Sequence, residues 1–440
     1  MDDRPVSRHS GMNGFSVRAS RPTGHIEIPP SKSHTLRALL FGMLGKGRTV
    51  VRKYLPSPDV DSMLNACCQF GLSLSRFADR IEIEGEGVTG LKAAEDVIDA
   101  GNSGQVLRFV GAVAALLPSY TVLTGDHSIR HNRPVRPLLE GLRASGAFAE
   151  STRRDGFAPI VIRGPIRGGE VVMDGSDSQP VSGLLIAASF AQGKTSLHIN
   201  DPGEKPWIDL TLHWLDFLGL PYERTGYTDY LIPGGGEYPG FDYTVPGDFS
   251  SLAFPLVAAV ITDSELTLSH VDMNDVQGDK KVIDLLISMG ANLSVDGDRG
   301  VLTVHKGSRL KGMKIDVNDV IDAVPILAVV GCFAEGGITL FNGAIARNKE
   351  CDRIRAITSE LKKMGASIEE HPDGLTVHRS TLKGARVKTY RDHRMAMALT
   401  VAALRAEGET KVMGTQCIAK TYPGFAEGLR KTGVVIREEA

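Results

Sequence analysis

A short phrase recurs six times in this chain: a helical pattern stops on a glycine, and two short apolar strands follow. The glycines are Gly71, Gly146, Gly219, Gly290, Gly365 and Gly433, at spacings of 75, 73, 71, 75 and 68 residues. Around them stand Phe-Gly-Leu-Ser-Leu, Ser-Gly-Ala-Phe-Ala, Leu-Gly-Leu-Pro-Tyr, Met-Gly-Ala-Asn-Leu, Met-Gly-Ala-Ser-Ile and Thr-Gly-Val-Val-Ile. Glycine after the last periodic residue is the expected helix C-cap. An internal period of this length implies six copies of one α/β unit.

Each unit carries a second landmark ahead of its glycine. A polar cluster opens an Ala/Leu/Val-rich helix, and a Thr/Val/Leu strand follows. The clusters are Ser31-Lys32-Ser33, Asn102-Ser103-Gly104, Asp177-Ser178-Gln179, Gly247-Asp248-Phe249-Ser250, Asn318 through Asp322, and Arg391-Asp392-His393. Helices that include 37–44, 183–190 and 396–404 are apolar almost all round, which predicts that they are buried. Gly-x-Thr turns at Gly47, Gly193, Gly337 and Gly408 lead into the strands. A second, amphipathic helix, for example Asp352 to Met364, then runs to the repeat glycine.

Ser, Asp and Asn cap helix N-termini. The clusters therefore mark six places where free backbone N–H groups and the positive end of a helix dipole point outward. Six such ends aimed at one cleft would make an anion receptacle. Any one cluster alone is most simply a cap, but several carry a cation or a glutamine that capping does not require. Lys32, Arg37, Arg108, Arg133, Lys349, Arg353, Arg394 and Lys420 lie close to these ends. A cation at an apolar helix start is costly unless an anion neutralises it. The run Arg347-Asn-Lys-Glu-Cys-Asp-Arg353 is by itself most simply a solvated, salt-bridged face. A carboxylate among cations is also what proton transfer beside an anionic substrate requires. His393 alone reads first as a cap or a core residue. Asp322 reads equally as an N-cap or a buried base.

Composition removes several classes of function. A chain of 440 residues exceeds one ordinary core, so two domains are expected. Lys and Arg total 50 and Asp and Glu total 52, a net charge of −2, which leaves no global field for nucleic acid or anionic lipid. Cys67, Cys68, Cys332, Cys351 and Cys417 form no Cys-x-x-Cys pair. That argues for reduced thiols in a cytosolic protein and against a zinc ribbon or disulfide framework. The N-terminus lacks the apolar region of a signal peptide, and no run of about 18 apolar residues is present to span a membrane. Residues 1–13 read as a disordered tail.

The motifs Ile28-Pro-Pro-Ser-Lys-Ser-His-Thr-Leu-Arg37, Gly101-Asn-Ser-Gly104 with Arg108, Lys349-Glu-Cys-Asp-Arg353, Asp392-His-Arg-Met-Ala-Met397 and Ala419-Lys-Thr-Tyr-Pro423 follow one another along the chain. Together they resemble the EPSP synthase (3-phosphoshikimate 1-carboxyvinyltransferase) family of enolpyruvyl transferases, from about residue 14 to the C-terminus. The resemblance implies an α/β (α+β) fold, a two-domain inside-out α/β barrel of six βαβαββ repeats, three per domain. Residues 1–31 with 247–440 would form one domain and 32–246 the other, joined by crossovers near 29–32 and 244–247. The first strand then belongs with the C-terminal half, and the Gly247-Asp248 end keeps only its cap and serves the crossover. The implied reaction transfers the carboxyvinyl group of phosphoenolpyruvate to the 5-hydroxyl of shikimate 3-phosphate through a tetrahedral intermediate, releasing phosphate, in the shikimate pathway of aromatic amino-acid biosynthesis. Neither metal nor cofactor is implied. The expected partners are the two substrates, with no nucleic acid and no membrane, for a monomeric cytoplasmic chain. The substrates bring two phosphates and two carboxylates, and the cations above are about enough to receive them. One positioned acid and one base suffice for the addition and elimination.

Residue by residue, Lys32, Ser33 and Arg37 resemble a shikimate-side loop, with Ser33 and Arg37 for the carboxylate and Lys32 bridging both substrates. Ser178, Gln179 and Lys349 match the shikimate side, and Gln179 also reaches the phosphoenolpyruvate. Asp322 matches the general-base candidate and Glu350 the proposed proton donor. Gly104, Arg133, Arg353, Arg394 and Lys420 match the phosphoenolpyruvate pocket, and His393 stands near the chemistry. The chain departs from the family where Gln105 replaces the usual threonine and Phe109 a frequent proline. Altered sensitivity to glyphosate, which occupies the phosphoenolpyruvate pocket, is therefore expected. Asp177 stands where serine or alanine is common and Glu204 where serine often lies. Trp207 replaces a common tyrosine, and Ile345 an asparagine that some members use. A carboxylate facing a phosphate repels it, so either Lys205 and Lys349 compensate or the acidic side chains turn away.

Three other readings compete. A sister enzyme acting on UDP-N-acetylglucosamine uses an early Lys-Asn pair and a reactive cysteine on a mobile loop. Lys32-Ser33 and the lack of cysteine between Cys68 and Cys332 count against it. A paralogue with a different phosphorylated alcohol as acceptor is kept open by Asp177 and Glu204. A non-catalytic repeat scaffold has no use for Lys32, Asp322, Glu350 and Arg394 at helix ends. For an enzyme of this kind, two hinged domains are expected to close when substrate anions screen the repulsion between cationic faces.

Overall fold

The computed structural model describes residues 14–439; the expectation for 1–13 lies outside them. The six repeat glycines end the helices Pro58–Gln69, Arg136–Ala144, Lys205–Phe217, Lys281–Ser288, Arg353–Lys363 and Phe425–Lys431. All six have positive φ, between +69° and +99°. At each, the glycine N–H turns back to a carbonyl of the last turn, and so does the next N–H. Gly71 N–H reaches Cys68 O at 2.9 Å and Leu72 N–H reaches Cys67 O at 3.2 Å; Gly365 and Ala366 do the same to Lys362 and Leu361, both at 3.0 Å. This double closure requires the left-handed backbone that glycine adopts without strain.

Five of the six polar clusters cap an inner helix through a side chain. Ser31, Ser103, Asp177, Asp248 and Asp392 accept from backbone N–H groups of the helices Lys32–Leu44, Gly104–Ala114, Ser178–Ala188, Phe249–Ile261 and His393–Ala403. These helices are buried along almost their whole length, as their all-round apolar character predicts. The sixth, Val324–Gly331, follows a 3-10 turn over Asn318–Ala323, and its cap, Ala323, offers no side-chain bond. Asp322 is therefore free of any capping duty.

Each unit lays one four-stranded sheet over its inner helix. In the second unit, Ile98–Asp99 runs parallel to Thr121–Thr124, which pairs antiparallel with Ile160–Arg163, itself paired with Phe148–Ser151. The other five sheets follow the same plan, but three complete themselves with strands from distant sequence. Asp242–Thr244 lies beside Lys46–Arg52, and Gly24–Glu27 beside Leu266–Ser269. Gly14–Arg18 sits between Glu409–Met413 and Ile436–Glu439. The two passing segments touch: Pro30 bridges Gly247, Ser31 N–H bonds Pro246 O at 2.8 Å, and Asp248 N–H bonds Pro29 O at 2.9 Å.

Two separate apolar cores result, and the fold is a two-domain α/β barrel with its helices inside. One core gathers side chains from Leu36 to Val245; the other takes Phe15, Val17, Ile26 and Ile28 together with Phe249 to Ile436. A helix buried on every side can present only its ends, so the design leaves the helix N-termini for chemistry. No helix among the described residues is long and apolar enough to cross a membrane.

Candidate active site

All six inner-helix ends meet at one cleft. Its wall takes Lys32 and Ser33 from the first unit, Gly104 and Gln105 from the second and Gln179 from the third. Asp248 and Ser250 come from the fourth, Asp322 from the fifth, and His393 and Arg394 from the sixth. Arg133, Lys349, Glu350, Arg353 and Lys420 line it as well, with Asp59, Trp207 and Thr421. This corrects the expectation for the Gly247-Asp248 end. Besides capping, Asp248 Oδ2 accepts from Lys32 N–H at 3.2 Å, and Ser250 Oγ accepts from Arg394 Nη2 at 3.1 Å.

Within the cleft the chain's own carboxylates gather the cations. Glu350 Oε1 lies 2.7 Å from Arg133 Nη2 and 2.8 Å from Lys420 Nζ, and its Oε2 is 2.8 Å from Arg353 Nη2. Asp322 lies 2.7 Å from both Arg353 Nη1 and Arg394 Nη2. Asp392 holds Arg353 Nε at 2.8 Å. Arg353 thus joins three carboxylates through three different nitrogens, the fork geometry that suits a guanidinium and not an ammonium. Gly104 makes room for this packing. A Cβ there would stand 2.4 Å from Arg133 Nη1 and 2.7 Å from Arg108 Nη1.

Burial and charge oppose one another in these groups. Burial alone would raise the Glu350 carboxyl, but Arg133, Lys420 and Arg353 outweigh it and hold it well below the ordinary range. Asp322 is half-buried, and Arg394, Arg353 and Lys349 keep it low. Burial drives His393 well below its ordinary value although Glu350 opposes the shift, so its ring is neutral. His393 Nδ1 is 3.8 Å from Glu350 Oε1, and both ring nitrogens lack a hydrogen-bond partner in the protein. A neutral imidazole with free nitrogens is available to a ligand.

The run 347–353 divides. Arg347 makes half-exposed bonds to Asp352 and Glu370, the solvated face expected of a charge run, whereas Lys349, Glu350 and Arg353 turn into the cleft. Arg37 stays outside the lining. It donates to Thr211 Oγ1 at 2.8 Å and Ser33 O at 3.2 Å, and lies 4.9 Å over the Phe109 ring. Ser178 is also shut away, because its N–H and Oγ bond Glu204 Oε2 at 3.0 and 2.8 Å. Asp177 turns to Arg108 at 3.0 Å. Lys349 is ion-paired with Glu204, while Lys205 lies 5.6 Å over the Tyr227 ring instead. Gln105 Nε2 donates to Ser33 Oγ at 3.3 Å, and Ile345 packs against the C-terminal core.

Sequence reasoning missed Asp59 and read Asn102 only as part of a capping cluster. Asp59 is buried and bonds Lys32 Nζ at 3.2 Å; Asn102 offers its backbone and side-chain oxygens to Lys420 Nζ, both at 2.7 Å. An acid in the first turn of a helix already suits the dipole, so Asp59 carried no surplus signal.

The model of the family described as EPSP synthase (3-phosphoshikimate 1-carboxyvinyltransferase) matches residues 18–429. A 3-phosphoshikimate 1-carboxyvinyltransferase of Ruminiclostridium cellulolyticum is 43% identical over 419 residues, covering 95% of this chain and 98% of that protein. Another, of Methanocaldococcus jannaschii, is 38% identical over 424 residues, covering 95% and 98%. Among solved structures, an EPSP synthase of Acinetobacter baumannii superposes with a TM-score of 0.82 at 29% identity, covering 97% of this chain and 99% of that one.

Proposed function

The chain belongs to the EPSP synthase family, and we propose that the helix ends and loops of the cleft divide that family's reaction among themselves. The reaction moves the carboxyvinyl group of phosphoenolpyruvate onto the 5-hydroxyl of shikimate 3-phosphate and releases phosphate, a step of aromatic amino-acid biosynthesis. The observation that carries the assignment of roles is Arg353, whose guanidinium binds both Glu350 and Asp322, at 2.8 and 2.7 Å. An acid and a base are thereby held on one rigid fork.

Phosphoenolpyruvate brings its phosphate and carboxylate to Arg133, Lys420, Arg353 and Arg394, beside the Gly104 helix end. These anions share the cations that hold Glu350 low, so its carboxyl rises and takes a proton. Glu350 then protonates the methylene carbon while Asp322 accepts the proton of the 5-hydroxyl. The addition gives a tetrahedral ketal phosphate. Elimination reverses the roles: Glu350 takes a proton from the new methyl group, and phosphate leaves with the proton held on Asp322. Lys32 lies between the substrates, Ser33, Gln179 and Lys349 serve the acceptor, and neutral His393 hydrogen-bonds beside Glu350. Arg37 and Ser178 support this wall from behind.

The two apolar cores support domains of 1–31 with 247–440 and of 32–246, with the paired segments near 29–32 and 244–247 as crossovers. On this reading the enzyme is a monomer of the cytoplasm, where its five free cysteines stay reduced. Phosphate release from phosphoenolpyruvate tests the reading. It is expected only when shikimate 3-phosphate is present; its absence with that acceptor overturns the assignment.

A further inference from the structure

The mechanism gives no task to Glu204, a buried carboxylate beside the cleft. Glu204 is 1% exposed, and its placement is fixed from three sides. Its N–H donates to Asn318 Oδ1 at 2.8 Å, across the cleft. Oε2 accepts from the N–H and hydroxyl of Ser178, at the N-terminus of the inner helix Ser178–Ala188. Oε1 is paired with Lys349. A helix N-terminus, a hydroxyl and an ammonium converging on one point make an anion seat, and here the chain itself supplies the anion. The backbone at Glu204 is left-handed, with φ of +46°, a conformation that a non-glycine residue keeps only when its surroundings enforce it.

The seat adjoins the acceptor end of the cleft. Gln179 follows Ser178 on the same helix and lines the wall with Lys349 and Trp207. Asp177 has its charge matched by Arg108 at 3.0 Å, so Lys349 is the cation that an incoming anion can recruit there. Glu350 and Asp322 also hold cations in place of substrate, but each has a proton to move. Glu204 has none.

Resting on the acceptor reading above, we propose that Glu204 is a specificity-determining residue: its carboxylate occupies the Ser178–Lys349 seat as a built-in anion that the acceptor's phosphate must displace. Glu204 is then a repulsive element set against the seat's own ligand: it narrows the margin by which a phosphorylated acceptor is preferred to an unphosphorylated one. An acceptor without a phosphate leaves Glu204 in place; a phosphorylated one binds only by moving it. Burial and the nearby Asp177 push the Glu204 carboxyl upward while Lys349 opposes them, so the seat holds this charge at a cost.

Calorimetric titration of the full chain with shikimate 3-phosphate, shikimate and inorganic phosphate tests this in the native protein, Glu204→Ser and Glu204→Gln. Both variants are expected to bind shikimate 3-phosphate and inorganic phosphate about tenfold more tightly than the native chain, with shikimate affinity changed less than about twofold. If the variants bind both phosphates no better, or bind shikimate and its phosphate equally more weakly, Glu204 is a tie across the cleft and the proposal falls. The isosteric glutamine keeps the test valid if serine loosens the fold. Failure of the acceptor reading shows separately, as a lack of turnover with shikimate 3-phosphate in all three proteins, and inorganic phosphate still reports on the seat in that case.

Discussion

Replacing Glu350 with glutamine removes a proton donor and also a competitor for the cations. The turnover number is expected to fall about 10²–10⁴-fold while KM for phosphoenolpyruvate does not rise, read from steady-state phosphate release. His393 adds a pH-dependent contribution to stability. Its folded pKa is depressed below the ordinary 6.5, so below that pH the unfolded chain binds a proton that the folded chain refuses. The contribution is complete above pH 6.5 and is lost as the pH falls, at about 1.4 kcal/mol per pH unit. Subtracting the unfolding curves of His393→Asn from those of the native chain is expected to show that slope; parallel curves would refute it. Gln105, tied to Ser33 in the wall, gives a third expectation: Gln105→Thr strengthens glyphosate inhibition against phosphoenolpyruvate several-fold. The identities of these residues were legible because cations and carboxylates at apolar helix starts have no cheap structural use. Their pairings were not, since Lys420 meets Asn102 across 318 residues and no local pattern encodes such a contact.

At the scale of the element, the six helix stops are a strong local signal with a measurable cost. Gly219 has open space where a Cβ would go, whereas a Cβ on Gly290 would stand 2.5 Å from the Arg309 carbonyl. Both have positive φ. Gly219→Ala is expected to cost about 1 kcal/mol from backbone conformation alone, and Gly290→Ala on the order of 1 kcal/mol more, because backbone has to move. Urea unfolding midpoints should rank native, Gly219→Ala, Gly290→Ala in falling order. Caps and stops were legible because each is settled within one turn of helix. The Asn318–Asp322 cluster left two readings open because Asp322 looks like the other caps in sequence. Only the 3-10 turn before Val324, a detail of backbone path, releases it to bind Arg353 and Arg394.

Across the whole molecule, the cleft is already drawn together by bonds between its halves. Arg133 and Glu350, Lys420 and Asn102, and Lys32 N–H and Asp248 all span it. Substrate anions were expected to quench repulsion between cationic faces; the chain's carboxylates already do so. Glu350→Ala, which removes the Arg133 pair across the cleft, is expected to raise the radius of gyration in small-angle scattering, and an unchanged radius would show that other contacts hold the halves. The two-part architecture was legible from the repeat, but the exchange of strands across it was visible only through family resemblance, because strand partners separated by most of the chain leave no local mark. That exchange also orders events in time. Gly14–Arg18 pairs with Ile436–Glu439, so one of the first strands to leave the ribosome waits for one of the last. At about 5–20 residues per second, roughly 20–90 seconds pass before it finds its partner. The half between the crossovers, whose core closes at Val245, has by then emerged whole, and it can serve as the folded surface against which the other half is assembled.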